Sequence, residues 1–222
     1  MTAILFDFNG TMIFDTPIVE ESWNSFLIKH NINQSIEEIR PWIHGLDPLD
    51  TIFHFFGKIN LDEAKKLVDE KEDIYRNLCI EHKNDIYKLA DGLETFLNLC
   101  KEKNIKMTIA TAAPLKNVIF FFESLELNRW FDFNNIIFCD GSFPGKPNPT
   151  IYLKAAEKLN MPINECVIFE DAVSGITAAV NSGCKCVFGI TSLLNKSQIL
   201  KLKANYAIPD YRNKDFLFSI IY

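Results

Sequence analysis

Four separated stretches of this chain carry side chains that can act on a phosphoryl group. The first is Phe6-Asp7-Phe8-Asn9-Gly10-Thr11. It follows the apolar run Ala3 to Phe6, which reads as a buried strand, so Asp7 stands where strand gives way to loop. Gly10 suits a sharp turn or the close approach of a ligand. In parallel α/β sheets, ligands bind at that edge. A lone acid there could equally just end the strand. The second stretch runs from Ile109 to Pro114. Thr111 closes an apolar strand and Pro114 can open the next helix. A hydroxyl beside the free N–H groups of a helix N-terminus suits a phosphate, although threonine is common in strands on its own account.

The third stretch is Gly145-Lys146-Pro147-Asn148-Pro149. The residue before a proline is pushed out of the helical region, so Lys146 sits in an extended loop. Asn148 can cap the following helix, with Pro149 at its first position. A fixed ammonium there could neutralise a carboxylate meeting a phosphate. The fourth is Phe169-Glu170-Asp171-Ala172. Two adjacent acids after a buried strand repel one another, and a divalent cation relieves the repulsion. Hard oxygen ligands favour magnesium over zinc. Helix capping by Asp171 is the plainer alternative.

The elements that must position these groups fall into two kinds. From Thr16 to about Asp85 the pattern is helical throughout: Thr16 as N-cap with Pro17 first, then segments 35–42, 49–56 and 61–82. Beyond it, apolar strands at 107–110, 135–138, 166–169, 184–188 and 206–208 alternate with helices. That alternation implies a mostly parallel sheet covered on both faces. With 48% hydrophobic and 23% charged residues, the composition is that of a globular protein. The net charge of −6 offers no basic surface for nucleic acid or anionic membrane. No apolar run is long enough to span a bilayer, and no signal-peptide pattern opens the chain, which places it in the cytoplasm. The six cysteines form no Cys-x-x-Cys pair and read as reduced thiols. Nothing in the sequence speaks to oligomeric state.

Taken in order, strand–Asp, strand–Thr, loop–Lys and strand–acid pair, the chain resembles the haloacid dehalogenase-like hydrolase superfamily. The helical block after the first strand resembles the cap of the subgroup containing phosphoglycolate phosphatase and β-phosphoglucomutase. The resemblance implies a Rossmann-like α/β core over residues 1–14 and 87–222, with an inserted all-helical cap over 15–86. It implies Asp7 as a nucleophile that becomes an aspartyl phosphate, with Gly10, Thr111 and the Ala112 N–H gripping the phosphoryl group and Lys146 offsetting charge. It further implies Mg2+ held by Asp7, the Asn9 carbonyl and Asp171, with Glu170 beside them. The substrate would be a small phosphorylated metabolite.

The pattern breaks at one position. Family phosphatases carry a second aspartate two residues after the nucleophile, and here that residue is Asn9. An amide neither donates a proton to a leaving alkoxide nor takes one from attacking water, and that help is worth about 10²–10⁴ in rate. A hydrolase therefore ranks first, a weak or inactive phosphate-ligand binding protein second, and a sugar phosphomutase third. Glu20 and His44 are the candidates for a replacement acid. Glu20, Arg40, His44 and Gly45 are the candidates for substrate contact from the cap, and segments 13–15 and 85–89 are its expected hinges. No apolar setting marks Lys29, Lys58 or Lys71.

Overall fold

The computed structural model describes residues 2–44 and 46–221. Six strands form one parallel sheet: β1 (Ala3–Phe6), β2 (Lys106–Pro114), β3 (Ile137–Cys139), β4 (Cys166–Glu170), β5 (Cys186–Ile190) and β6 (Tyr206–Ile208). Their spatial order is β3-β2-β1-β4-β5-β6, which puts β1 and β4 side by side at the centre. The period of two along each strand divides the core. Ile4 and Phe6 of β1, Val167 and Phe169 of β4, and Phe188 of β5 face one side. Ala3, Leu5, Cys166, Ile168 and Val187 face the other. The first side is covered by α5 (Leu93–Glu102), α6 (Leu115–Ser124) and α10 (Lys214–Ile221). The second is covered by α7 (Thr150–Lys158), α8 (Val173–Asn181) and α9 (Lys196–Lys201).

Aromatic rings floor the centre of the sheet. Phe6 pairs with Phe169 in register, and Phe169 with Phe188. Their rings stack at 5.2 and 4.9 Å between centroids. Each such pair adds about 0.5–1.5 kcal/mol beyond the area it buries. The register then places Asp7 and Glu170 one residue beyond stacked Phe6 and Phe169, and the Asp7 amide continues the ladder to the Phe169 carbonyl at 3.0 Å.

The remaining helices are α1 (Thr16–Lys29), α2 (Ile36–Ile43), α3 (Pro48–Phe56) and α4 (Leu61–Glu81). They share a small core of Trp23, Phe26, Leu27, Ile39, Ile43, Ile52, Ala64 and Val68. Ser35 and Glu38 form a capping box on α2, and Asn60 caps α4. Phe55 packs on Trp23 and Phe56 on Phe26. The C-terminal half of α4 leaves this block, and Tyr75 and Cys79 join the sheet's own core.

Several boundaries differ from the sequence expectation. Thr16 is the first helical residue and Asp15 the N-cap. Strand β2 runs on through Thr111 to Pro114, with its pairing to β3 shifting register between Ala110 and Pro114. Pro114 and Pro149 are themselves N-caps. Strand β5 starts two residues late, because Gly183 turns the chain at φ +74° and Lys185 first bonds back to Cys166. All six cysteines are free thiols. Among the described residues, no helix is long and apolar enough to cross a membrane.

Phe169→Ala removes the middle ring of the stack and leaves a void under the strand ends. We expect it to cost about 3–5 kcal/mol, read as a lower urea midpoint at an unchanged slope.

Candidate active site

The carboxyl ends of β1, β2 and β4 surround a cavity of about 100 Å³, covered by the α1–α4 block. Asp7, Asn9, Gly10, Thr111, Ala112, Glu170 and Asp171 line it from below. Lys146 lies behind Asp7 and is 5% exposed. Its Nζ donates to Asp7 Oδ1 at 2.5 Å and to Glu170 Oε1 at 2.6 Å. Tyr152 adds a hydroxyl hydrogen to the same Glu170 oxygen, and the amides of Asp171 and Ala172 donate to Oε2. Glu170 thus accepts four hydrogen bonds, and both its oxygens are spent on holding Lys146 and the turn.

Two glycines let these groups meet. Gly10 has φ +75°, and a Cβ there would lie 2.1 Å from Asp171 Oδ2. A Cβ at Gly175 would lie 1.6 Å from Glu170 Oε1, so α8 can approach the acid pair only without a side chain at that position. Asp171 is further fixed by Thr11, whose hydroxyl donates to Oδ1 at 3.1 Å. The Thr111 hydroxyl oxygen accepts from the Ala113 amide at 3.1 Å, which leaves its hydrogen free to point into the cavity. The first turn of α6 follows directly, and its N-cap residue Pro114 supplies no side-chain acceptor.

The electrostatics are those of an anionic cluster short of cations. One ligand atom each from Asp7, Glu170 and Asp171 lies within 4.8 Å of the others. Burial pushes the Asp7 carboxyl up to about 7, with Lys146 pulling the other way and Glu170 and Asp15 adding to the rise. Asp171 is raised well above its usual range, first by burial and then by Glu170 and Asp7. Burial would lower the Lys146 pKa, but Asp7 and Glu170 raise it further and keep the ammonium charged. One ammonium does not balance three carboxylates, and an all-oxygen donor set fits a hard divalent cation.

Beside Asp7, Asn9 is held by an unforeseen partner. Its Nδ2 donates to Asp15 Oδ2 at 2.6 Å and to the Tyr75 hydroxyl at 2.9 Å, an amide orientation set by these partners. Tyr75 donates to the same Asp15 oxygen at 2.5 Å, and the Gly10 amide donates to Oδ1. Asp15 is fully buried. Lys71 was also missed. It is 4% exposed, with its Nζ 5.0 and 5.2 Å from the Trp23 and Tyr75 ring centroids, and it pairs with Glu72 at 2.9 Å. Glu72 in turn accepts from Asn117 of α6 at 2.5 Å. The expectation that no apolar setting marks Lys71 is therefore wrong. Its spacing of four from Tyr75, on the helix face that carries Ala64 and Val68, was the available signal.

The four helical-block candidates separate. His44 reaches the cavity wall. Glu20 stands behind it, with Oε1 3.3 Å from His44 Nε2, and is gripped by Arg40 at 2.7 and 3.0 Å. Neither Glu20 nor Arg40 lines the cavity: the guanidinium is spent on the carboxylate and half-exposed to solvent. Burial holds the His44 pKa below its usual value. Gly45 lies outside the described residues.

The sequence profile of the family described as haloacid dehalogenase-like hydrolase matches residues 1–183. The chain belongs to that family. A phosphorylated carbohydrates phosphatase of Thermotoga maritima is 28% identical to it over 203 residues, covering 90% of each chain. A solved haloacid dehalogenase hydrolase of family IA, variant 3, from Entamoeba histolytica is 38% identical at a TM-score of 0.89, covering 100% of this chain and 98% of that one. A solved β-phosphoglucomutase from Clostridium difficile is 26% identical at a TM-score of 0.79, covering 100% and 97%. The haloacid dehalogenase-like hydrolase described here is accordingly an enzyme of the phosphatase kind, with the subgroup its motifs indicated.

Asp7 titrates near 3.8 when unfolded and near 7 when folded. Between those values the folded state binds more protons, so this contribution to stability is complete below about pH 4 and is lost as pH rises through about 7. A divalent cation bound by the ionised carboxylates opposes that loss. Magnesium should therefore raise the melting temperature more at about pH 8 than at about pH 5; equal shifts at both would contradict this account of the cluster.

Proposed function

We propose that this chain is a magnesium-dependent phosphatase of a small phosphorylated carbohydrate or related metabolite in the cytoplasm, working through phosphorylation of Asp7. The observation that carries the reading is the convergence of Asp7, Thr111 and Asp171 on one small cavity under the helical block, with Lys146 paired to Asp7 from behind. The phosphatase relative named for phosphorylated carbohydrates supports the substrate class.

In this reading residues 1–14 and 87–222 are the catalytic core, and 15–86 a cap. Segments 13–15 and 85–89 are the hinges. They lie together, because Ile13 bridges to Leu89 and the Ala90 amide donates to the Met12 carbonyl at 2.8 Å. Thr111, the Ala112 amide and the first turn of α6 orient the phosphoryl oxygens. Gly10 leaves room beside them. Lys146 balances the charge of Asp7 as an anionic phosphate approaches, and Glu170 holds Lys146 in place. Asp7, the Asn9 carbonyl and Asp171 would hold the magnesium ion, with Glu170 beside them. When bound, the ion neutralises phosphoryl charge and keeps Asp7 ionised. The Asp7 carboxylate attacks phosphorus in line, and water later releases phosphate from it. His44 touches the carbon end of the substrate, oriented by Glu20, which Arg40 fixes. Closure of the cap excludes bulk water.

Asn9 supports a second reading, a slow or inactive phosphate-ligand binding protein. A mutase ranks below both: Lys71 is the one lysine or arginine among the described cap residues on the cavity wall, and it is already paired with Glu72.

A panel of phosphate esters and acyl phosphates, assayed with magnesium, tests the assignment. Phosphate release should vanish in Asp7→Asn, and Thr111→Val should lower kcat by about 10²–10³-fold. Release indifferent to Asp7→Asn would end the phosphatase reading.

A further inference from the structure

A phosphoryl transfer to Asp7 can proceed with or without a proton, depending on what leaves. An alkyl phosphate expels an alkoxide, about as basic as hydroxide (water pKa about 15.7), and needs an acid at hand. An acyl phosphate expels a carboxylate, whose conjugate acid has a pKa of about 4, and needs none. What matters is therefore whether any group in the cavity holds a proton both acidic and free to move. The Thr111 hydroxyl hydrogen is free, but an alcohol is no stronger an acid than the leaving group it would serve.

Asn9, where family phosphatases place the acid, has none. Both amide hydrogens are committed, one to Asp15 and one to the Tyr75 oxygen. Its remaining polar atom, Oδ1, can only accept. Asp15 takes three donors on its two oxygens, from Asn9, Tyr75 and the Gly10 amide, and has no solvent-accessible surface. An acid so placed is an acceptor, with no proton directed at a leaving group. The Tyr75 hydroxyl spends its hydrogen on Asp15. Of the cations, Lys146 is shared between Asp7 and Glu170, and Lys71 is paired with Glu72 over two aromatic rings. The His44 nitrogen Nε2 faces the Glu20 carboxylate. A neutral ring with its proton on Nε2 offers only a lone pair at Nδ1.

We propose that this site is selective for activated phosphoryl donors, acyl phosphates and phosphoanhydrides, and that phospho-Asp7 accumulates when it meets one. The inference rests on the phosphatase reading above, keeps its Asp7 chemistry, and confines its substrates to phosphorylated metabolites whose leaving group departs as a stable anion, which sets aside simple sugar phosphate esters. In the first step an Asp7 oxygen bonds to phosphorus, the bond from phosphorus to the leaving oxygen breaks, and the electron pair departs with a stable anion. No proton moves. In the second step water bonds to phosphorus, the bond to Asp7 breaks, and Asp7 recovers its carboxylate. The water's proton goes to the departing phosphate and solvent, because no base stands ready beside Asp7. That step lacks the same factor of about 10²–10⁴ that a positioned base supplies, so it limits turnover and the covalent form builds up.

The test compares acetyl phosphate with glycerol phosphate on the full chain with magnesium. Phosphate release is measured, and acid-quenched protein is weighed by intact mass spectrometry. We expect the added mass of one phosphoryl group with acetyl phosphate, none in Asp7→Asn, and release from glycerol phosphate at least about 10²-fold slower than from acetyl phosphate. Asn9→Asp should raise glycerol phosphate turnover by about 10²–10⁴ and abolish the accumulated label. The native-chain measurement stands alone should that variant fold poorly, since it places a second carboxylate against Asp15. Comparable release from both donors without label would overturn the selectivity and leave the phosphatase reading intact. Neither release nor label from either donor would overturn both.

Discussion

The ion triad of Lys146 with Asp7 and Glu170 governs the rest of this molecule. An ammonium with almost no contact with water sits between two carboxylates at 2.5 and 2.6 Å, with a third carboxylate within ligand distance. A buried charge is tolerated only with partners and hydrogen bonds to satisfy it. Much of the local architecture supplies them. Tyr152 on α7 and two turn amides complete Glu170, Thr11 fixes Asp171, and glycines at positions 10 and 175 remove the side chains that would push these groups apart. Beneath them the stacked rings of Phe6, Phe169 and Phe188 make a floor that cannot solvate charge. That floor strengthens each electrostatic interaction above it and raises the demand for a cation.

What could be read from sequence followed from whether a residue's position is set locally. Asp7 and the Glu170–Asp171 pair stand at the ends of apolar strands and Thr111 in the last stretch of β2, and the carboxyl ends of neighbouring strands in a parallel sheet converge whatever the loops do. Lys146 was legible because its neighbour Pro147 restricts it. Gly183 shifted the start of β5, since a turn residue there outranks the β propensity of the cysteine that follows. The burial of Lys71 was signalled by its place on the Ala64–Val68 face of α4, but the meeting of Asp15, Tyr75, Lys71 and Asn117 was not legible. They meet only because α4 crosses from its own block into the sheet's core, a tertiary fact with no local signature. Glu20 and Arg40 had the right residue types, but they satisfy one another behind His44.

Asn9 shows how an amide settles beside Asp7 with the scaffold intact. Its side chain fits a polar knot with Asp15 and Tyr75 that leaves no buried donor unmet. An aspartate there would face the Asp15 carboxylate and would need to keep its proton to avoid repulsion. The amide reaches the same hydrogen-bonded arrangement with no proton to manage.

Helix α4 therefore belongs to both halves of the molecule. Tyr75 ties the orientation of Asn9 to the position of a helix whose N-terminal half buries Ala64 and Val68 in the core of the other three helices. An outward swing of α4 would withdraw that phenol from both Asp15 and Asn9 and leave the amide held by Asp15 alone. The position of α4 and the setting of the amide beside Asp7 are in this way mechanically linked.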